Sequence, residues 1–308
     1  MELTKTTASK EKKTGTQPCA GVPFQAAEQR TGQYPYTLQE LDSPLWEAYR
    51  GAYGNVREYL MILMGERELA PETFKLRRLD KTPKTNYEMA FDNLCENLWH
   101  QMSFYPATWL AMPYLARLME NWEKEKDREW LFQGILAAGS CLATDVYDSR
   151  PEDACVQESY ENAILQIRAI TTDFLAEHMD YVQEKDIGWR RGFAFAVTAI
   201  LGEKRLAFML TMSGLESCYI VCPGCENCDE DMEFGYFDLS ERIEKAEAPD
   251  EKWDGVSLAD GKLWLFNLFA LLDDTEGMER LCYYFGTYTC PECGEQTPVF
   301  TGMEGYFL

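Results

Sequence analysis

Between Pro44 and Met212, apolar residues recur with a helical period. The clearest stripe lies in "TNYEMAFDNLCENLWHQ", where Tyr87, Phe91, Leu94, Cys95 and Leu98 share one face and Ala90 lies beside them. That spacing lines one side of an amphipathic helix. Thr85 or Asn86 is placed to cap it, because either offers a side-chain oxygen to the free amides of the first turn. "YENAILQIRAITTDFLAEHM" repeats the pattern at Tyr160, Ala163, Ile164, Ile167, Ile170, Phe174 and Leu175. "YPATWLAMPYLARLMENW" and "REWLFQGILAAGSCLAT" are apolar nearly all round, which predicts helices buried on most sides. "WRRGFAFAVTAILGE" and "KRLAFMLTM" continue the series, and Pro, Asp, Gly or Lys/Glu clusters mark the joints. Successive helices with short joints predict stacked helical pairs, antiparallel and packed in sequence order, with residues 44–212 at least two-thirds helical. Small residues at Ala137, Ala138, Gly139, Gly192, Ala194 and Ala196 permit close approach. No fixed repeat length aligns the segments, so any repeats are divergent.

Beyond residue 214 the pattern changes. Short β-like runs, "SCYIV" and "MEFGYF", flank "CPGC" at Cys222 and Cys225; "GTYT" and "TPVF" flank "CPECG" at Cys290 and Cys293. A C-x2-C turn brings two thiolates within reach of one ion, and two such turns complete a tetrahedral four-cysteine zinc site. Proline fixes the turn, and the glycine after Cys293 permits the tight backbone that aims amides at sulfur. The doubled strand–knuckle–strand order resembles a zinc ribbon. The first knuckle departs from that form, with Glu226 where glycine is usual. The 64 residues between the knuckles include "LADGKLWLFNLFALLDDTEGMERLCYYFG", read as a helical pair packed on the stack. Cys228 is a spare that could replace a ligand or sit nearby.

Four thiolates close a zinc coordination sphere, so the metal is expected to be structural. A catalytic zinc keeps an open position beside a Glu or His base. The H-x-E pattern of zinc deaminases is missing at both histidines, His100 and His178. A dithiol redox role for "CPGC" is the competing reading; the second pair weakens it. His100 is expected to bond the last carbonyls of its helix, and His178 to be a surface or boundary residue.

Charge narrows the partners. The chain has 308 residues and a formal net charge of −23. Such a surface repels phosphate backbones and anionic headgroups, which argues against nucleic acid and steers a basic protein towards it. Plain solubility explains the same charge. Residues 226–254 hold twelve acidic and three basic side chains, either a docking surface or a solvated loop. The best apolar run, "GFAFAVTAIL", is half the length of a membrane span, so no membrane partner is expected. The opening "MELTKTTASKEKKTGTQ" has no apolar stretch of a secretory signal. With six cysteines scattered singly, that predicts a reducing cytoplasm.

"WEAYRGAYGNVREYLMILM" (46–64) and "LCENLWHQMSFYPATWLAMPYLARLME" (94–120) resemble a group of bacterial HEAT-repeat-like proteins. The resemblance covers roughly residues 40–215 and implies an α-solenoid. It carries no activity; at fold level it implies binding to another protein, as a scaffold or toxin antagonist. The expected organisation is a flexible tail (1–35), a HEAT-like helical domain (36–214), and a zinc-ribbon-like element with an inserted helical pair (215–308). The expected function is a cytoplasmic interaction or scaffold protein with structural Zn²⁺ at Cys222, Cys225, Cys290 and Cys293. The alternative is an enzyme whose active site lies between the stack and the zinc element.

Overall fold

The computed structural model describes residues 34–67, 85–226, 228–229, 232–235, 238–249 and 261–308, without the side chains of 261–263. The expected tail lies outside these residues except for Tyr34 and Pro35. The described chain is mainly helical, with small antiparallel sheets towards its carboxyl end.

An extended segment, residues 34–40, leads in. Two short helices follow, α1 (Leu45–Ala48) and α2 (Arg57–Leu63). Then come α3 (Asn86–Leu98), α4 (Ala107–Asn121), α5 (Arg128–Thr144) and α6 (Ala154–Glu177). The short α7 (Met179–Gln183) precedes α8 (Ile187–Ile200) and α9 (Lys204–Ser213). Thr85 caps α3: its hydroxyl accepts from the Glu88 amide, and Glu88 accepts in return from the Thr85 amide. Asp153 and Asp186 cap α6 and α8 in the same sense.

The packing order differs from the order along the chain. The most extensive helix contacts join α5 to α8, across α6 and the short α7, and α4 to α6, across α5. Small residues decide the first of these. A Cβ built on Gly139 of α5 would lie 2.4 Å from the Cα of Ala196 on α8. Only a residue without a Cβ lets these two backbones come so close. One apolar core runs continuously from Leu41 to Met303, with Trp46, Phe132, Phe193 and Trp264 wholly buried.

Beyond α9, β1 (Ile220–Val221) pairs antiparallel with β2 (Cys228–Asp229). A three-stranded antiparallel sheet follows, β3 (Ile243–Glu244) beside β4 (Thr287–Thr289) beside β5 (Gln296–Pro298). Helices α10 (Gly261–Leu271) and α11 (Thr275–Tyr284) lie between β3 and β4 in sequence. They are the expected inserted pair, and α10 packs on α8. The run "TPVF" is not all strand: it leaves the sheet at Pro298, and Val299 opens α12 (Val299–Phe307). Burial of Val299 and Met303 drives this turn, and Gly302 lets the helix lie flat on β1, where a Cβ would meet Ile220 at 2.3 Å. Likewise, the return strand after the first knuckle begins at Cys228, earlier than "MEFGYF"; of that run, Glu233 makes an isolated bridge with Ser217.

The Arg191 guanidinium of α8 anchors this carboxyl-terminal part to the helices. It bonds Asp274 at 2.7 and 3.2 Å and Glu276 at 3.1 Å. Beside it, Arg190 donates to the Leu272 carbonyl at 2.6 Å. Among the described residues, no helix is long and apolar enough to cross a membrane.

Candidate metal centre

Each cysteine pair sits in the turn of a short hairpin. β1 delivers Cys222 and Cys225 before β2 returns; β4 delivers Cys290 and Cys293 before β5 returns. The turns close on themselves through backbone bonds. The Glu226 amide donates to the Cys222 carbonyl at 2.8 Å, and the Gly294 amide donates to the Cys290 carbonyl at 2.9 Å. The two knuckles are therefore conformational equivalents. Gly294 has φ +77° and Glu226 has φ +59°. The left-handed region suits glycine and strains a residue with a Cβ by roughly 1–2 kcal/mol. Glu226 thus adopts the glycine conformation without being glycine.

The hairpins face one another. The sulfurs of Cys222, Cys225, Cys290 and Cys293 all lie within 4.8 Å of one another and could hold a metal ion. The nearest contacts cross between knuckles: Cys222 Sγ to Cys293 Sγ and Cys225 Sγ to Cys290 Sγ, both 3.6 Å. Ligands at a Zn–S distance of ~2.3 Å sit about 3.8 Å apart around a tetrahedron. None of the four sulfurs is in a disulfide, and the cross-knuckle arrangement serves a shared ion better than a dithiol couple within "CPGC". Cys222 and Cys290 are buried, while Cys225 and Cys293 face solvent. The Gly224 amide points at Cys222 Sγ from 3.4 Å, a donor that stabilises thiolate character. Burial raises the Cys290 thiol, but the amides of Cys293 and Glu292 and the Cys225 thiol outweigh it and bring the pKa down to about 7.

Contacts behind the sulfurs hold the hairpins in place. Asp229 on β2 accepts from Arg242 at 3.1 Å and from the Tyr288 hydroxyl on β4 at 3.3 Å, tying one hairpin to the other. The buried Tyr284 hydroxyl of α11 donates to the Ser217 carbonyl at 2.7 Å, and Arg280 donates to the Leu215 carbonyl at 2.7 Å. Cys228 is exposed on β2, opposite Val221, and lies outside the four-sulfur set. Burial pushes the thiols of Cys141 and Cys218 well up, which makes them inert packing residues.

The histidines differ from expectation. The His100 ring does not turn to the carbonyls of α3. It meets the Tyr53 hydroxyl at 2.9 Å and the Glu96 carboxylate at 3.3 Å. The reason is the left-handed turn at Gln101 and Met102, φ +51° and +55°, which swings the chain away from the helix axis. Asn97 braces this turn against "RGAYG", its carbonyl accepting from the Ala52 amide and its side chain from the Tyr53 amide. His178 does mark a helix boundary, between α6 and α7, but it is buried against Phe174.

No family model, curated protein or solved structure matches the chain. The reading of its function therefore rests on its own geometry.

Proposed function

We propose that this protein is a cytoplasmic interaction scaffold, a HEAT-like helical stack whose four-cysteine cluster holds a structural Zn²⁺. The observation that carries the reading is the closure of the cluster. Four sulfurs within 4.8 Å of one another can fill all four positions of a tetrahedral zinc, leaving none for a substrate or an activated water. Four thiolates in a tetrahedron are soft donors that suit Zn²⁺ or iron better than Mg²⁺, Ca²⁺ or Mn²⁺. Both knuckles turn left-handed after the second cysteine, the second at the glycine usual in a zinc ribbon and the first at Glu226.

The α4–α6 contact supports the HEAT-like part, since stacked helical pairs place alternate helices in the same layer. The interaction role is supported by surface character. Tyr53, Tyr147 and Trp189 are large exposed aromatics on a chain of net charge −23. Aromatics exposed singly are ordinary on a surface, so the charge carries the interaction role, and it favours a basic protein over nucleic acid. Capture on the immobilised full-length chain from its native cell, at two salt concentrations, tests this reading. The expected result is a basic protein lost at high salt. Recovery of nucleic acid, or of nothing salt-dependent, overturns it.

A further inference from the structure

Side chains of α4 and α6 hold the backbone of the segment from Pro35 to Gln39. The Thr37 amide donates to Ser159 Oγ at 2.6 Å, and that hydroxyl donates back to the Thr37 carbonyl at 2.8 Å. Asn162 donates to the Pro35 carbonyl at 2.8 Å, and the Tyr114 hydroxyl donates to the Gln39 carbonyl. The segment so fixed forms one wall of an open cleft of about 450 Å³. The opposite walls are Trp109 and Pro113 of α4 and the first turns of α6, with the carboxylates of Asp153 and Glu158. Among the described residues, no lysine or arginine lines it.

These walls define a ligand chemistry. A helix amino terminus ordinarily favours an anion, but Asp153 already occupies this one: its Oδ1 accepts from the Cys155 and Val156 amides at 2.8 and 3.3 Å. Glu158 makes no ion pair among the described residues. An apolar ligand would leave the two carboxylates without a cationic partner. A cation that can lie on an indole satisfies both features. Arginine suits the pocket better than lysine, because its flat guanidinium stacks on an aromatic face and offers several donors to carboxylates. We propose that this pocket receives an arginine side chain presented by the basic partner. The partner half of that statement rests on the interaction reading above; the pocket half does not.

Cys155 is exposed and lines the same pocket, so its alkylation by iodoacetamide reports occupancy. The probe is Nα-acetyl-arginine methylamide, titrated into the full-length chain, with the norleucine and lysine analogues as controls. Cys155 modification is followed by peptide mass spectrometry. A single side chain binds weakly, so protection should saturate at roughly millimolar arginine. Norleucine should give none, and lysine should need several-fold more. The double variant Asp153→Asn/Glu158→Gln removes both charges while keeping a capping side chain at 153, and should abolish the protection. Equal protection by norleucine or lysine, protection that survives in the double variant, or none at all overturns the pocket. If arginine protects but no basic protein is captured, the pocket stands and the interaction reading falls.

Discussion

The Arg191 guanidinium and the Asp274 carboxylate meet at 2.7 Å with side chains only 9% and 2% exposed. Asp274 also caps α11, accepting from the Gly277 amide at 2.8 Å. One carboxylate therefore neutralises the arginine on α8 and starts the helix that leads into the second knuckle. Removing it leaves a buried positive charge without its closest partner, an error that typically costs about 3–5 kcal/mol. Asp274→Ala should lower the free energy of unfolding, measured in urea, by that order. Glu276→Gln, at the exposed third member of the cluster, should cost less than about 1 kcal/mol. Similar losses in both variants would show that burial at this junction does not set the strength of the pair.

Gly139→Ala tests the α5–α8 contact. On an exposed helix this change would stabilise by about 1 kcal/mol. Here the new methyl group meets Ala196 at 2.4 Å, so the helices must separate. A net loss of about 1–3 kcal/mol is expected, read as a lower thermal midpoint. A stabilised variant would contradict the close approach.

Glu226→Gly removes a Cβ from a left-handed backbone position. It should stabilise the metal-bound fold by about 1 kcal/mol, seen as slower metal loss to a chelator. Gly294→Ala should do the reverse. The pair of opposite signs separates backbone strain from any effect of the lost carboxylate.

Lys204 gives a pH dependence. Burial would lower its pKa, but the Asp145 and Asp148 carboxylates, at 2.8 and 2.9 Å, outweigh burial and raise it above the ordinary 10.5. A group raised on folding stabilises while it is charged in both states. That contribution is present below about pH 10.5 and is lost as pH rises through the folded value. Lys204→Met should therefore unfold at lower denaturant near neutrality and show a flatter alkaline limb. An identical alkaline limb would refute the coupling.

Much of this was legible in the sequence, for identifiable reasons. The α3 stripe from Tyr87 to Leu98 and its Thr85 cap are local signals, and the structure keeps both. The cysteine pairs were legible because C-x2-C fixes two thiols in one turn, whatever lies between the pairs. The partner choices of helices were not, since the apolar surfaces of α4 and α5 are compatible with several neighbours. Only the contact at Gly139 and Ala196 selects one of them. α12 escaped notice because "TPVF" has strand-like composition, and tertiary burial on β1 decides its state. The Arg191–Asp274 pair spans 83 positions and has no local signature.

The central claim is that Cys222, Cys225, Cys290 and Cys293 share one structural zinc, and elemental analysis of the purified full-length chain tests it most directly. Inductively coupled plasma mass spectrometry should find one zinc per chain, lost on chelation in acid because protons compete for the thiolates. Cys290→Ser should lose the metal too, and hydrogen exchange should then rise across 215–229 and 286–303 while α4, α5, α6 and α8 stay protected. A chain that carries no zinc when purified reduced and without chelator, and takes up none on titration, would contradict the account. So would zinc retained in full by Cys290→Ser.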